Sequence, residues 1–240
     1  MHLLYSTRDE VFNKISLLPV GSIEQHGPHL PMGTDAIIAE EIAKRVESEF
    51  KDDVLLFPTI YYSCSIEHSG LPYVGVSYIT FYNYLVEVIK KALELSKVVI
   101  IINAHGGNQA ILEVIKREIN LNRDDKKESY NNKKVYVFYP VYNFFQGEDL
   151  HAVTVETSTI KYLYPSIVKE SKLGKDFSVK EGVFDTITTA EANSQGIINI
   201  GEFKIDINIG ELFIRHNINK LKEFVLKILK ENKLKEFVIF

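Results

Sequence analysis

The sequence predicts an α/β layer fold with parallel strands. Two observations lead there. Four short apolar runs, each rich in β-branched residues and bounded by turn formers, lie at 15 to 21 ("ISLLPVG"), 54 to 60 ("VLLFPTI"), 97 to 103 ("KVVIIIN") and 134 to 140 ("KVYVFYP"). Their apolarity is continuous rather than alternating, as expected of strands buried on both faces of a parallel sheet. Between these runs lie segments with helical periodicity, and strands alternating with helices are the mark of α/β layering.

In chain order, the first strand leads into "GSIEQHGPHLPMGTD", residues 21 to 35, whose glycines and prolines suit a loop. "TDAIIAEEIAKRVESEF" follows as a helix, with Ile38, Ile42 and Val46 four apart on one face and Thr34 or Asp35 available as its amino-terminal cap. "TFYNYLVEVIKKALELS" and "NQAILEVIKREINLN" read as helices after the second and third strands. The polar stretch "NRDDKKESYNNKK", 122 to 134, is expected as an exposed loop. "VETSTIKYLYP" reads as a short helix, and "INIGELFIRHNINKLKEFVLKILKEN" as one long amphipathic helix. With 240 residues and no internal repeat, a single domain spanning 1–240 is the expectation.

Composition narrows the function classes. A formal net charge of -4 supplies no basic field, so no nucleic-acid partner is expected. The longest purely apolar run, "VVIII", is far short of a membrane span, which takes roughly 20 residues, so no membrane partner is expected either. The amino terminus has no signal-peptide pattern, and the lone Cys64 permits no internal disulfide. A cytoplasmic location is the corresponding expectation.

The loop at 21 to 35 concentrates potential ligands. If residues 23 to 26 are extended, Glu24 and His26 point to one side, and Asp35 at the start of the next helix can turn back toward them. Carboxylates with imidazole are the donor set of zinc, manganese or iron rather than of all-oxygen calcium and magnesium sites. An aspartate has two oxygens and can bridge two ions. Taken singly, each of these residues is as well explained as a turn or cap.

A second motif shifts that balance. "NAHGGNQ" follows the third strand, so His105 and the loop at 21 to 35 fall at the same carboxyl edge of the sheet, where ligands bind in open α/β folds. Gly106 and Gly107 let backbone pass close to an ion or substrate. A phosphate loop is the rival reading, but no Walker lysine follows and the G-x-G-x-x-G pattern is absent.

"DLHAVTVETS" adds His151 and Glu156 at the start of a helix, where a carboxylate also favours the helix dipole. "EHSGLPYVGVSYIT" adds Glu67 and His68 beside a loop that can line a pocket. His2 and His216 have no ligand-like neighbours and are read as structural.

Together "LPVGSIEQHGPHLPMGTD", "NAHGGN", "HAVTVETS" and, more weakly, "EHSGLPYVGVSYIT" and "NSQGIINIGE" resemble the creatininase family of metal-dependent cyclic-amide and amide hydrolases, in family order from position 18 to about 202. The resemblance implies a three-layer α/β/α fold. It also implies two divalent metal ions per chain, zinc first, with manganese or iron as alternatives. On the family pattern Glu24 and His105 hold one ion, His26 holds the other and Asp35 bridges. Creatininase itself has a glutamate two residues after the motif histidine, where this chain has Gly107, so Glu156 is the implied final ligand. Creatininase also stacks tryptophans on its substrate. One of these positions is Gly147 here, and the chain contains no tryptophan, so creatinine is not the expected substrate.

The expected function is hydrolysis of a non-peptide C–N amide bond in a small polar metabolite by a dinuclear-metal-activated water. His151 is the expected catalytic acid or base; His68, Gly106 and Gly107 are the expected substrate contacts. Within the family, activity like that of the formamidopyrimidine-nucleotide deformylase or the mycofactocin-type peptidase is the alternative. From another class, a non-catalytic metal- or ligand-binding module is the rival. A homo-oligomer is expected, hexameric by family resemblance, and the 13 tyrosines and 14 phenylalanines exceed what one core needs.

Overall fold

A computed structural model describes residues 1–121, 133–142, 148–174 and 179–236. The expected loop at 122–134 lies, apart from its last two residues, outside the described residues, as does Gly147.

The sheet is built from β1 (Lys14–Val20), β2 (Val54–Leu56), β3 (Ser96–Asn103) and β4 (Lys134–Phe138), in the order β2-β1-β3-β4. All its pairings are parallel, with Ile15 opposite Val54, Leu17 opposite Ile100 and Ile100 opposite Tyr136. β2 is shorter than its apolar run suggested. Pro58 has no N–H to offer a ladder and the strand stops ahead of it.

Alternation along each buried strand divides the core. Ile15 and Leu17 of β1 and Val98, Ile100 and Ile102 of β3 face one layer, formed by α1 (Thr34–Glu49), α4 (Thr154–Leu163) and α6 (Ile207–Glu236). Leu18, Val20, Val99 and Ile101 face the other, where α2 (Tyr78–Leu95) and α3 (Gln109–Leu121) pack. The result is the three-layer α/β/α arrangement. The long carboxyl-terminal helix packs against α4 and α1, burying Phe213, Leu221 and Val225.

A second, two-stranded antiparallel sheet joins β5 (Glu148–His151) to β6 (Ile198–Ile200), with a register irregularity between Asp149 and His151. The short helix α5 (Thr189–Ala192) precedes β6 and is closed by a capping box between Thr188 and Glu191. No described helix is long and apolar enough to cross a membrane.

The cap expected for α1 is not the one observed. Gly33 occupies the cap position without a side-chain bond, Thr34 is already helical, and its hydroxyl donates to the Pro31 carbonyl at 2.7 Å. Asp35 lies in the first turn with its carboxylate directed away from the helix end, toward the loop after β1.

Candidate metal centre

The strand order places a topological switch between β1 and β3, because the chain leaves β1 for β2 on one side and enters β3 on the other. Val20 and Asn103, the last residues of these strands, are register partners, so the loops they begin open side by side. Gly21 makes the close approach possible: a Cβ there would overlap the backbone at Ala36, so only glycine lets the start of α1 sit against the end of β1.

Glu24, His26, Asp35, His105, His151 and Glu156, all singled out in the sequence, converge on this crevice and are buried. Asp35 stands at the centre. Its Oδ1 is 3.1 Å from His26 Nε2, while its Oδ2 is 3.1 Å from His105 Nδ1 and accepts the Ser22 hydroxyl at 2.8 Å. Glu24 Oε1 lies 3.2 Å from His105 Nδ1 on one flank, and Glu156 Oε2 lies 4.0 Å from His26 Nε2 on the other. One carboxylate is thus shared between two half-sites.

Each of three imidazoles is oriented by a backbone carbonyl. His26 Nδ1 donates to the Glu24 carbonyl at 3.1 Å, His105 Nε2 to Cys64 at 2.7 Å, and His151 Nε2 to Gln25 at 2.9 Å. That leaves His26 Nε2, His105 Nδ1 and His151 Nδ1 as the lone-pair atoms, and each of these is the nitrogen facing the carboxylates. Fixing the tautomer from behind is how metal-binding histidines are prepared.

Glu24 is fully buried, yet neither of its oxygens has a hydrogen-bond partner of good geometry. Its approaches to His105 and His68 are close but poorly angled, as expected of donor atoms that all aim at a common point. Burial of such a carboxylate is costly without a cation. The nitrogen-and-oxygen donor set and the orphaned Glu24 oxygens fit divalent metal, which Glu24, His105, Asp35, His26 and Glu156 would hold.

Protons take part of that role when metal is absent. Burial pulls the His26 imidazole down, but the Asp35, Glu156 and Glu24 carboxylates together outweigh it, and the pKa rises to about 10. His105 is likewise lifted well above its ordinary value, against burial, by Glu24, Asp35 and Glu67. Burial opposes ionisation of Glu24, but the His105 and His68 rings hold it well below the carboxylate range. His151 moves the other way: burial first, then the neighbouring His26 and His68 rings, depress it well below its ordinary value. It rests neutral, with a free Nδ1.

His68 is more deeply placed than a substrate contact alone. Its Nε2 is 3.0 Å from Glu24 Oε1, and its Nδ1 meets Gln25 Nε2 at 2.9 Å and the Thr189 hydroxyl at 3.0 Å. Gln25, which the sequence did not single out, ties the site together. The Gly27 N–H bonds to its Oε1 at 2.9 Å, fixing the amide, and its Nε2 then donates to the Gly196 carbonyl at 3.0 Å and to His68. A glutamine between two ligand residues carries no sequence signal of that role.

The loop from β5 into α4 sets the remaining pair. Ala152 adopts a left-handed φ of 58°, which turns the chain sharply after His151, and its N–H donates to Glu156 Oε2 at 2.6 Å. His151 and Glu156 therefore enter the crevice from one tight turn. His2 and His216 belong to no group of potential metal ligands among the described residues.

A cavity of about 680 Å³ opens onto the centre and is lined by Gly106, Gly107, Tyr78, Glu113, Leu150 and Phe184. Tyr78 belongs to the segment 67–80 that the sequence marked as able to line a pocket, whereas nothing marked Glu113, Leu150 or Phe184. They come from separate elements that only the fold brings together.

The family model for creatininase, creatinine amidohydrolase, matches residues 7–225. Among curated proteins, the mycofactocin precursor peptide peptidase of Mycolicibacterium smegmatis is 32% identical over 162 residues, covering 65% of this chain and 61% of that protein. The 2-amino-5-formylamino-6-ribosylaminopyrimidin-4(3H)-one 5'-monophosphate deformylase of Methanobrevibacter ruminantium is 35% identical over 108 residues, covering 43% of this chain and 44% of the relative. The chain thus matches less than two thirds of the length of either. Among solved structures, a mutant creatininase of Zn-Zn type superposes with a TM-score of 0.75 at 18% identity, covering 94% of this chain and 97% of the other. A putative creatinine amidohydrolase from Bacteroides fragilis gives 0.75 at 21% identity, covering 93% and 94%. At such identities the structural likeness speaks for the fold.

Proposed function

Because the chain belongs to the creatininase family, whose model spans residues 7–225, we propose that it is a metal-dependent hydrolase of a C–N amide bond in a small polar molecule. The observation that carries this reading is the shared Asp35, with one oxygen turned to His26 and the other to His105, beside a neutral His151. A purely structural cluster needs no pair of half-sites and no unbonded buried carboxylate.

Two divalent ions held there, zinc first and manganese or iron as alternatives, would acidify water and polarise an amide carbonyl. The chain's own residues supply the rest. His151 Nδ1 faces the centre at 4.0 Å from Glu24 Oε1, while its Nε2–H is held by the Gln25 carbonyl. In the proposed reaction this nitrogen takes the proton lost by the attacking water and passes it to the departing nitrogen. The imidazole ends as it began, and the amine leaves neutral. The depressed pKa supports His151 as a base first and an acid second. Gly106, on the cavity wall with open space where a Cβ would stand, leaves room for a substrate to reach the centre.

The two curated relatives are a peptidase and a deformylase, and both names describe breaking a C–N bond. Peptide and formamide substrates are therefore candidates alongside other amides. The test is a panel of creatinine, a formylaminopyrimidine and short peptides, incubated with metal-loaded protein and analysed by mass. Chelator-sensitive cleavage of at least one amide is expected, with creatinine the poorest since the chain has no tryptophan. Metal loading without cleavage of any amide would favour the binding-module reading.

A further inference from the structure

Glu67 is a carboxylate of the crevice to which the proposed metal centre gives no role. This residue lies in the 3-10 turn Ile66–His68, beside His68. Its Oε1 is 3.2 Å from His105 Nε2, and its Oε2 is buried without a hydrogen-bond partner. Gly107 faces it. A Cβ at position 107 would overlap Glu67 Oε1 and stand 2.5 Å from His105 Nε2, whereas a Cβ at Gly106 would meet nothing. Gly107 has no left-handed φ, so its backbone does not demand glycine. Space does.

We propose that Glu67 fills the space left open at Gly107 and acts as a positioning residue for His105, holding that imidazole so that Nδ1 is presented to the metal centre. The inference rests on the metal-centre reading above. Two features favour positioning over direct ligation. Glu24 Oε1 and Asp35 Oδ2 both stand at Nδ1, whereas Glu67 Oε1 stands at Nε2, across the ring from the atoms that would share an ion. Nε2 already donates to the Cys64 carbonyl at 2.7 Å, so the Glu67 carboxylate adds negative charge to an N–H that is in place. Negative charge behind a histidine strengthens its other nitrogen as a ligand. The carboxylate also narrows the rotation open to the ring, since Gly107 on that side offers no side chain to stop it.

Metal binding, rather than turnover, tests the idea. Apo-protein is titrated with zinc against a chelating dye and with cobalt(II) by its visible spectrum, for wild type, Glu67→Ala, Glu67→Gln and Gly107→Ala. Expected for Glu67→Ala is weaker binding of one ion by about 10-fold to 100-fold, a shifted cobalt spectrum, and an unchanged count of ions at saturation. Glu67→Gln, which keeps an acceptor but loses the charge, should show a smaller loss. Gly107→Ala should weaken the same ion by displacing the carboxylate. Equal affinity in Glu67→Ala and wild type overturns the proposal, as does loss of one ion at saturation, which would make Glu67 a ligand. Should Glu67→Ala not fold by circular dichroism, Glu67→Gln decides, and unchanged affinity there is equally fatal. Wild type that binds no ion defeats the metal-centre reading itself and this inference with it.

Discussion

At the scale of single residues, His151 is where binding and chemistry separate. Its Nδ1 is 4.0 Å from Glu24 Oε1, farther than His105 stands from Glu24 or His26 from Asp35. His151→Ala should keep its metal while turnover of any amide the wild type cleaves falls by roughly 100-fold to 10,000-fold. The defect should shrink for an activated anilide or ester, whose leaving group needs no proton. Loss of metal in that variant would make His151 a ligand, and unchanged turnover would make it structural.

The same residues set a pH window for the metal-free protein. His26, raised from 6.5 to about 10, contributes stability that is fully present below 6.5 and lost as pH rises through about 10. Glu24, held below 4.5, contributes stability present above that value and lost as pH falls. Calorimetric melting in chelator should therefore show a plateau falling at both ends, and metal loading should remove the alkaline fall because ions replace the protons. A metal-free melting temperature that stays flat through pH 10 would contradict the charge pairing. The ligand types were legible because carboxylates and imidazoles crowd two short motifs. The roles of Gln25 and Glu67 were not, since each depends on what lies opposite in space: Gly196 and His68 for one, Gly107 and His105 for the other.

At the scale of elements, the buried strands were readable from continuous apolarity, and the placement of both motifs at one sheet edge followed from their position after β1 and β3. The cap of α1 was misjudged for a physical reason. Cap preference is worth about 1 kcal/mol, and here Asp35 is instead drawn to His26, His105 and the Ser22 hydroxyl. The β5–β6 pair was missed because strands of four and three residues leave too short a pattern to read. Gly21→Ala should report on the packing of α1 against β1. The added methyl meets backbone rather than a flexible side chain, so a loss of about 1–3 kcal/mol is expected in denaturant unfolding, together with weaker metal binding as Asp35 shifts. A neutral substitution would mean that α1 moves freely with respect to the strand.

At the scale of the whole molecule, the segment from 61 to 84 leaves Tyr62, Ile66, Val74, Ile79 and Tyr84 exposed, with Ile79 at 75%. We propose that these exposed apolar residues meet another copy of the chain, in keeping with the homo-oligomer expected from the sequence. The same segment contributes Glu67 and His68 to the crevice, so assembly and site geometry would be linked. Sedimentation should show an assembly at micromolar concentration that Ile79→Asp weakens. A wild-type monomer across that range would refute it.

On the proposed reading Asp35 is shared between two ions. This sharing is tested most directly by counting metal in protein reconstituted with zinc or manganese and freed of loosely bound ions, for wild type, Asp35→Asn and His216→Ala. Two ions per chain are expected for wild type and for His216→Ala, since His216 joins no ligand group. In Asp35→Asn both ions should be lost or weakened together, because each half-site gives up one oxygen of the same carboxylate. A trace of metal in the wild type, or a variant that loses one ion and holds the other at full affinity, would contradict the account.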